Sequence, residues 1–372
     1  MIYLEVAFLI SIILLCLQTK GNTLSINFLL VIVAFMVFHG LRNINDRNAD
    51  PLIFFYQYTF ENFSLESTVG RHLLVLMYVE AAKFMASFSG FLVPASSIFL
   101  ILSSSLPIFI SSVSVYLSTK ASNWRLVTLL FMIPALTVPS VILLSSNFLS
   151  QFISASLMVS AFVVFESNSI GKGRFPASIM LAILALSNHF TSVFVLCIYA
   201  IARLSVWISS LFRQRLFIGI LALTLIGAIL LVSTVYFSSI FGVYEGYMSE
   251  WEDTSLFRLM VRVIYPYILI IVLVKPSAIY FFFSSISQSS IAISSILGSL
   301  VCIALYSFGV TAMPWRMEYY FSYMMTFYMV IFFSKFPGKI QKFNFVSFVS
   351  LIIIALPLYG YKSISRLFLP SL

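Results

Sequence analysis

Residues 24–40 read "LSINFLLVIVAFMVFHG" and are followed at once by "LRNINDRNAD", residues 41–50. The first stretch carries no acid, lysine or arginine. As a helix it would run about 25 Å at 1.5 Å per residue, close to the ~30 Å hydrocarbon core of a bilayer. Runs of the same kind recur at 2–17, 91–117, 125–143, 148–166, 176–187 with 190–202, 216–238, 260–274, 280–308, 319–334 and 343–360. These amount to about 10–12 crossings. Of the 372 residues, 61% are hydrophobic and only 9% charged, and the mean hydropathy is +1.07. So few charges cannot solvate the surface of a soluble domain. The expected fold is all-α, a polytopic transmembrane helical bundle forming one integral membrane domain over residues 1–372, because no polar stretch is long enough for a second. The alternating short strands of an outer-membrane barrel are missing from the pattern. Residues 71–89 are apolar but include Arg71, His72, Glu80 and Lys83, which suits an interfacial or half-inserted helix.

The run 2–17 contains Glu5 and has neither a basic leader nor a small-residue cleavage site, so it reads as a retained helix. Cys16, Cys197 and Cys302 sit singly within apolar runs, as buried small hydrophobes do. The net charge of +9 does not point to nucleic acid, since the basic residues are scattered over short loops instead of forming a face. Membrane topology accounts for them, because Lys and Arg are retained on the cytoplasmic side. With Lys20 inside, alternation also places Lys120, Arg125, Lys172, Arg174, Arg203, Arg213, Arg215, Lys275, Lys335, Lys339 and Lys342 there. Asp46, Asp50, Glu61, Glu66, Glu245, Glu250, Glu252, Asp253 and Glu318 fall outside. The assignment turns on 176–202: two short runs preserve it, whereas one long helix would invert everything downstream. Two external loops exceed turn length, 42–70 and 241–259, and long loops in compact proteins usually carry function. Serines 103–105 and 284–290 suit close helix packing.

On this topology Arg42, Arg47, Arg71, Arg258, Arg262 and Arg316 are anomalous, since they lie on the face where arginine is scarce. Arg42, Arg258, Arg262 and Arg316 stand where an external loop meets an apolar span, at headgroup depth. A guanidinium there can bind the oxygens of a diphosphate in pairs; it can equally snorkel to ordinary headgroups or pair with a neighbouring acid, as Arg316 with Glu318. His189, in "LSNHFTSVF", is an ionisable group in a long apolar stretch and so a candidate base, or else a packing residue bonded to Asn188, Thr191 or Ser192. Asp50 could take a proton from an attacking hydroxyl, and before Pro51 it is also an ordinary turn residue. Tyr244, Tyr247 and Trp251 offer aromatic faces for sugars, although such residues also gather at membrane interfaces. No metal-ligand spacing or phosphate-cradling glycine loop is present.

With "GLRNINDRNAD" after the second span, "SNHFTSV" near the middle and "RMEYYF" before a late span, the chain resembles the EpsG/Wzy family of bacterial polysaccharide polymerases. The family's opening Arg and Asp look like Arg42 and Asp50, its His motif like His189 with Thr191 and Ser192, its Arg-x-x-x-Tyr-Phe like Arg316, Tyr320 and Phe321, and its loop-two Tyr-x-x-Tyr like Tyr244 and Tyr247. Phe54 stands where the family has a tyrosine, and Ser150-Gln151 where many members have Arg-Gln. The resemblance implies metal-independent transfer of a growing glycan from undecaprenyl diphosphate to the non-reducing end of another lipid-linked repeat, at the outer face of the cytoplasmic membrane. It implies no cofactor. The partners implied are the undecaprenyl-diphosphate-linked oligosaccharide, membrane lipid and a chain-length regulator, with no nucleic acid. An O-antigen ligase or another lipid-linked-sugar glycosyltransferase would use the same arginines, but loop two is short and acidic, which favours a polymerase. A transporter or flippase would show inverted repeats and paired charges near the bilayer midplane.

Overall fold

A computed structural model describes residues 72–88, 94–121, 124–138, 149–189, 191–212, 256–307 and 312–339, together with 32–33, 55, 59 and 90. All regular structure among the described residues is helical: α1 Leu73–Phe88, α2 Ala95–Thr119, α3 Trp124–Thr137, α4 Leu149–Glu166, α5 Arg174–Asn188, α6 Ser192–Phe212, α7 Leu256–Leu273, α8 Ile279–Ile286, α9 Ser290–Ser307 and α10 Ala312–Lys335. Three of these, α2, α4 and α9, are long and apolar enough to cross a membrane. The described helices fall into two compact units, one holding α1 to α5 and the other α6 to α9 with α10 as far as Met329.

In the first unit α4 is the centre: every side chain from Leu149 to Val164 is buried, with α2 and α5 against it and α1 touching all three. The sequence of α4 explains its position. Its serines 150, 154, 156 and 160 and Gln151 would be poor lipid-facing residues, while their small size lets neighbouring helices approach closely. Ser154 Oγ donates to the Ala185 carbonyl at 3.1 Å and Ser178 Oγ to the Ala161 carbonyl at 2.9 Å, stitching α5 to α4. The outward faces are apolar instead: Phe109, Val113 and Leu117 form an exposed stripe on α2, and Phe175, Ile179 and Ile183 another on α5. Such stripes suit hydrocarbon and would be a liability in water. Pro107 lies in the middle of α2. Around it Ser103, Ser104, Ser111 and Ser112 turn their hydroxyls back onto carbonyls of the same helix at 2.7 Å, satisfying themselves locally as membrane helices require.

The α4–α5 connection is tight. Gly171 takes φ +68°, a left-handed conformation that glycine adopts without strain, and Arg174 reaches back to the Ser167 carbonyl at 3.3 Å and Asn168 Oδ1 at 2.7 Å, a cation at the carboxyl end of a helix. Helix α1 lies within the segment 71–89 with 16 residues, and it carries an exposed Lys83–Glu80 ion pair at 2.7 Å.

In the second unit α10 is buried on all sides: from Pro314 to Val330 only Arg316 is partly exposed. Tyr328 packs on Phe282 of α8 at 5.3 Å between ring centroids and hydrogen-bonds Ser285, while Ser295 of α9 donates to the Phe321 carbonyl at 2.7 Å. As numbering rises from α8 into α9 it falls along α10, so α9 and α10 are antiparallel. Gly298 lies against the Phe321 ring so closely that a Cβ there would overlap it. The expected single span at 280–308 is corrected: the chain breaks at Ser287–Ser289 into the 8-residue α8 and the 18-residue α9. Ser285, Ser287 and Ser289 there bond nearby backbone, the local competition by which serine interrupts a helix. The two-run interpretation of 176–202 matches the observed break between Asn188 and Ser192.

Candidate functional site

The segment "WRMEYYFS", Trp315 to Ser322, lies in the first half of α10. Trp315 and Tyr319 are four residues apart and so share a face. Against that face lies Arg262 of α7. Its Cζ sits 3.9 Å from the Trp315 ring centroid and 5.6 Å from that of Tyr319, and Nη1 donates to the Tyr319 hydroxyl oxygen at 3.0 Å. A guanidinium over an indole face is held by the ring's quadrupole, by about 2 kcal/mol or more once water is excluded. The contact also fixes direction. With α7 and α10 touching near their amino-terminal parts, and with α8, just beyond the end of α7, touching α10 at Tyr328, the two helices run parallel.

Arg262 contacts the Tyr319 hydroxyl, and Arg316 and Glu318, its neighbours along α10, lie within electrostatic range of it. Glu318 is fully buried and accepts a hydrogen bond from Ser322 one turn on. This corrects its expected place in an external loop. A carboxylate tolerates burial when cations and hydroxyls surround it, and such compensation is invisible to a rule that sorts acids by topology. Arg262 likewise lies inside α7, about 9 Å along the axis from Leu256, instead of at the junction of loop and span. Two donors of the cluster, Arg262 Nε and Trp315 Nε1, are buried without a hydrogen-bond partner among the described residues. Each such donor costs about 1–3 kcal/mol, and native structures retain few of them.

Of the residues expected from sequence, Arg262 lies against Trp315 and Tyr319, which flank Arg316 along α10, and Tyr320, fully buried, follows Arg316 by one turn. Arg258 lies in the first turn of α7; its side chain is outside the described residues, as are Arg42, Asp50, Tyr244 and Tyr247 entirely. His189 belongs to the first unit. It ends α5 in extended backbone, φ −154° and ψ 124°, and its Nδ1 accepts the Thr191 N–H at 3.3 Å. In the neutral ring this places the proton on Nε2, so the basic nitrogen is the one turned to the local backbone.

Trp315, Tyr319 and Asn188 were not singled out by the sequence. The first two carry a readable signal, their i, i+4 spacing around Arg316. Asn188 carries none, being one amide among many polar residues. It is fully buried and links three helices: Nδ2 donates to the Ser150 carbonyl at 2.8 Å and to Ser154 Oγ at 3.0 Å, and Oδ1 accepts the Leu74 N–H at 3.0 Å. The last bond satisfies one of the free amides in the first turn of α1. Cys302 is buried as expected, whereas Cys197 is exposed on α6. Comparison of the chain with models of protein families, with curated proteins and with solved structures finds no match.

Proposed function

We propose that this protein is a polytopic membrane glycosyltransferase of the polysaccharide-polymerase type. In this reading it sits in the bacterial cytoplasmic membrane with its reacting side facing outward, and transfers a growing glycan from undecaprenyl diphosphate to the non-reducing end of another lipid-linked repeat. The observation that carries it is Arg262 of α7 lying against the stretch of α10 that holds Arg316, with its Nη1 donating to Tyr319 and with Arg316 within electrostatic range of the same hydroxyl. Two guanidinium groups in the amino-terminal halves of α7 and α10 suit a diphosphate that gains charge as it leaves. In the transfer, an acceptor hydroxyl oxygen bonds to the anomeric carbon of the donor, the bond from that carbon to the diphosphate oxygen breaks, and the diphosphate leaves with the electron pair. The hydroxyl proton passes to a base, for which Asp50 and His189 are the candidates. For His189 that role requires Nδ1 to exchange its bond from Thr191 N–H for the acceptor hydroxyl. Deleting the gene in its own strain tests the function. Single repeats should still reach the outer face while long chains vanish, and a transporter would instead leave no repeats outside.

A further inference from the structure

Arg262 and Trp315, stacked on one another, each carry a buried donor. The guanidinium lies over the indole face, its Nη1 is committed to Tyr319, and neither its Nε nor the Trp315 Nε1 has an acceptor among the described residues. Trp315 is only 4% exposed, and an indole N–H can donate but never accept. With Cζ 3.9 Å from the ring centroid, both donors belong to one stacked pair. Donors without acceptors, beside a positive charge, suit a ligand atom that accepts only and carries negative charge. A sugar hydroxyl, which also needs an acceptor, fits poorly; a phosphate oxygen fits well.

We propose that Trp315 Nε1 and Arg262 Nε together bind an oxygen of the diphosphate of a lipid-linked substrate, with Tyr319 as the positioning residue that holds the guanidinium in register. This rests on the glycosyltransferase reading and adds to it a neutral donor that sequence comparison of charged residues does not reveal. Trp315→Phe isolates the claim, because it keeps a ring for Arg262 to lie over and removes only the N–H.

The test uses the full chain in phosphatidylcholine nanodiscs with farnesyl diphosphate as probe. Loss of one hydrogen bond to a charged acceptor should weaken binding by about tenfold or more, while the thermal transition without probe stays at or above that of the wild type, since a buried unpartnered donor has been removed. Tyr319→Phe, which frees Nη1 without touching the indole, should weaken binding by a smaller factor. Unchanged affinity in Trp315→Phe overturns the proposal, as does a wild type that fails to bind the probe. A Trp315→Phe protein with a lowered thermal transition and full affinity assigns the indole to packing alone and overturns it too. If phosphatidylglycerol nanodiscs abolish probe binding, the donors serve ordinary headgroups and the assignment to a diphosphate falls; retained affinity there supports it. Failure of the underlying function would look different: long glycans would persist in the deletion strain even though Trp315→Phe still weakens probe binding.

Discussion

Replacing Asn188 by alanine should be among the most damaging single changes to the first unit. The side chain makes three hydrogen bonds, to the Ser150 carbonyl, to Ser154 Oγ and from the Leu74 N–H, all between 2.8 and 3.0 Å, and it has no exposed surface. Side-chain bonds between membrane helices average about 0.6 kcal/mol and reach about 1.7, and soluble proteins give about 0.5–1.5. Three of them, with the Leu74 amide left buried and unpaired, put the loss at about 2–4 kcal/mol. Ser154→Ala supplies the internal scale. It removes one of the three contacts, and with it the bond from Ser154 to the Ala185 carbonyl, so it should cost about 1–2 kcal/mol on the same estimates. Unfolding of the purified protein by sodium dodecyl sulfate titration, followed by intrinsic fluorescence, measures both. An Asn188→Ala midpoint within about 0.5 kcal/mol of the wild type, the usual range for an inconsequential surface change, would refute the assignment of Asn188 as the link among α1, α4 and α5. So would a loss no larger than that of Ser154→Ala.

Gly298→Ala should destabilise the second unit by about 1–2 kcal/mol, because the buried Phe321 ring must move and overpacking costs about 1–3 kcal/mol, against up to about 1 kcal/mol gained in helix propensity; adding Phe321→Leu should recover most of the loss, and the same titration reads both proteins. His189→Asn should leave stability within about 0.5 kcal/mol of the wild type, since an asparagine at that position can also accept the Thr191 N–H, two residues on. If the imidazole acts as the base, this variant should still lose long glycans on gel analysis; a normal ladder would restrict His189 to shaping the α5–α6 break.

The helices were most legible where apolar length alone decides. The expected span at 148–166 and the observed α4, Leu149–Glu166, nearly coincide, and Ser154 there bonds the neighbouring helix instead of its own backbone. The stretch 280–308 was not legible in the same way. Hydropathy treats Ser284, Ser285, Ser287 and Ser289 as neutral, whereas their hydroxyls bond the local backbone and end α8. At the candidate site, Arg262 and Arg316 stand out because the sequence-based topology puts them on the face where arginine is scarce. What holds Arg262 in place does not stand out: Trp315 and Tyr319 are the aromatic residues any membrane interface would contain, and only their spacing on α10 opposite α7 makes them specific. Glu318 was misplaced for the converse reason. A carboxylate is normally left in water, and its burial here goes with a hydrogen bond from Ser322 one turn on, which a topology rule does not weigh.

The most direct test of the account is to replace Arg262 and Arg316 separately by alanine on the chromosome, confirm unchanged protein in the membrane fraction, and examine surface glycans by gel. Each variant should display single repeats and no ladder, as expected if both guanidinium groups hold the leaving diphosphate. A normal ladder from both would contradict the central claim.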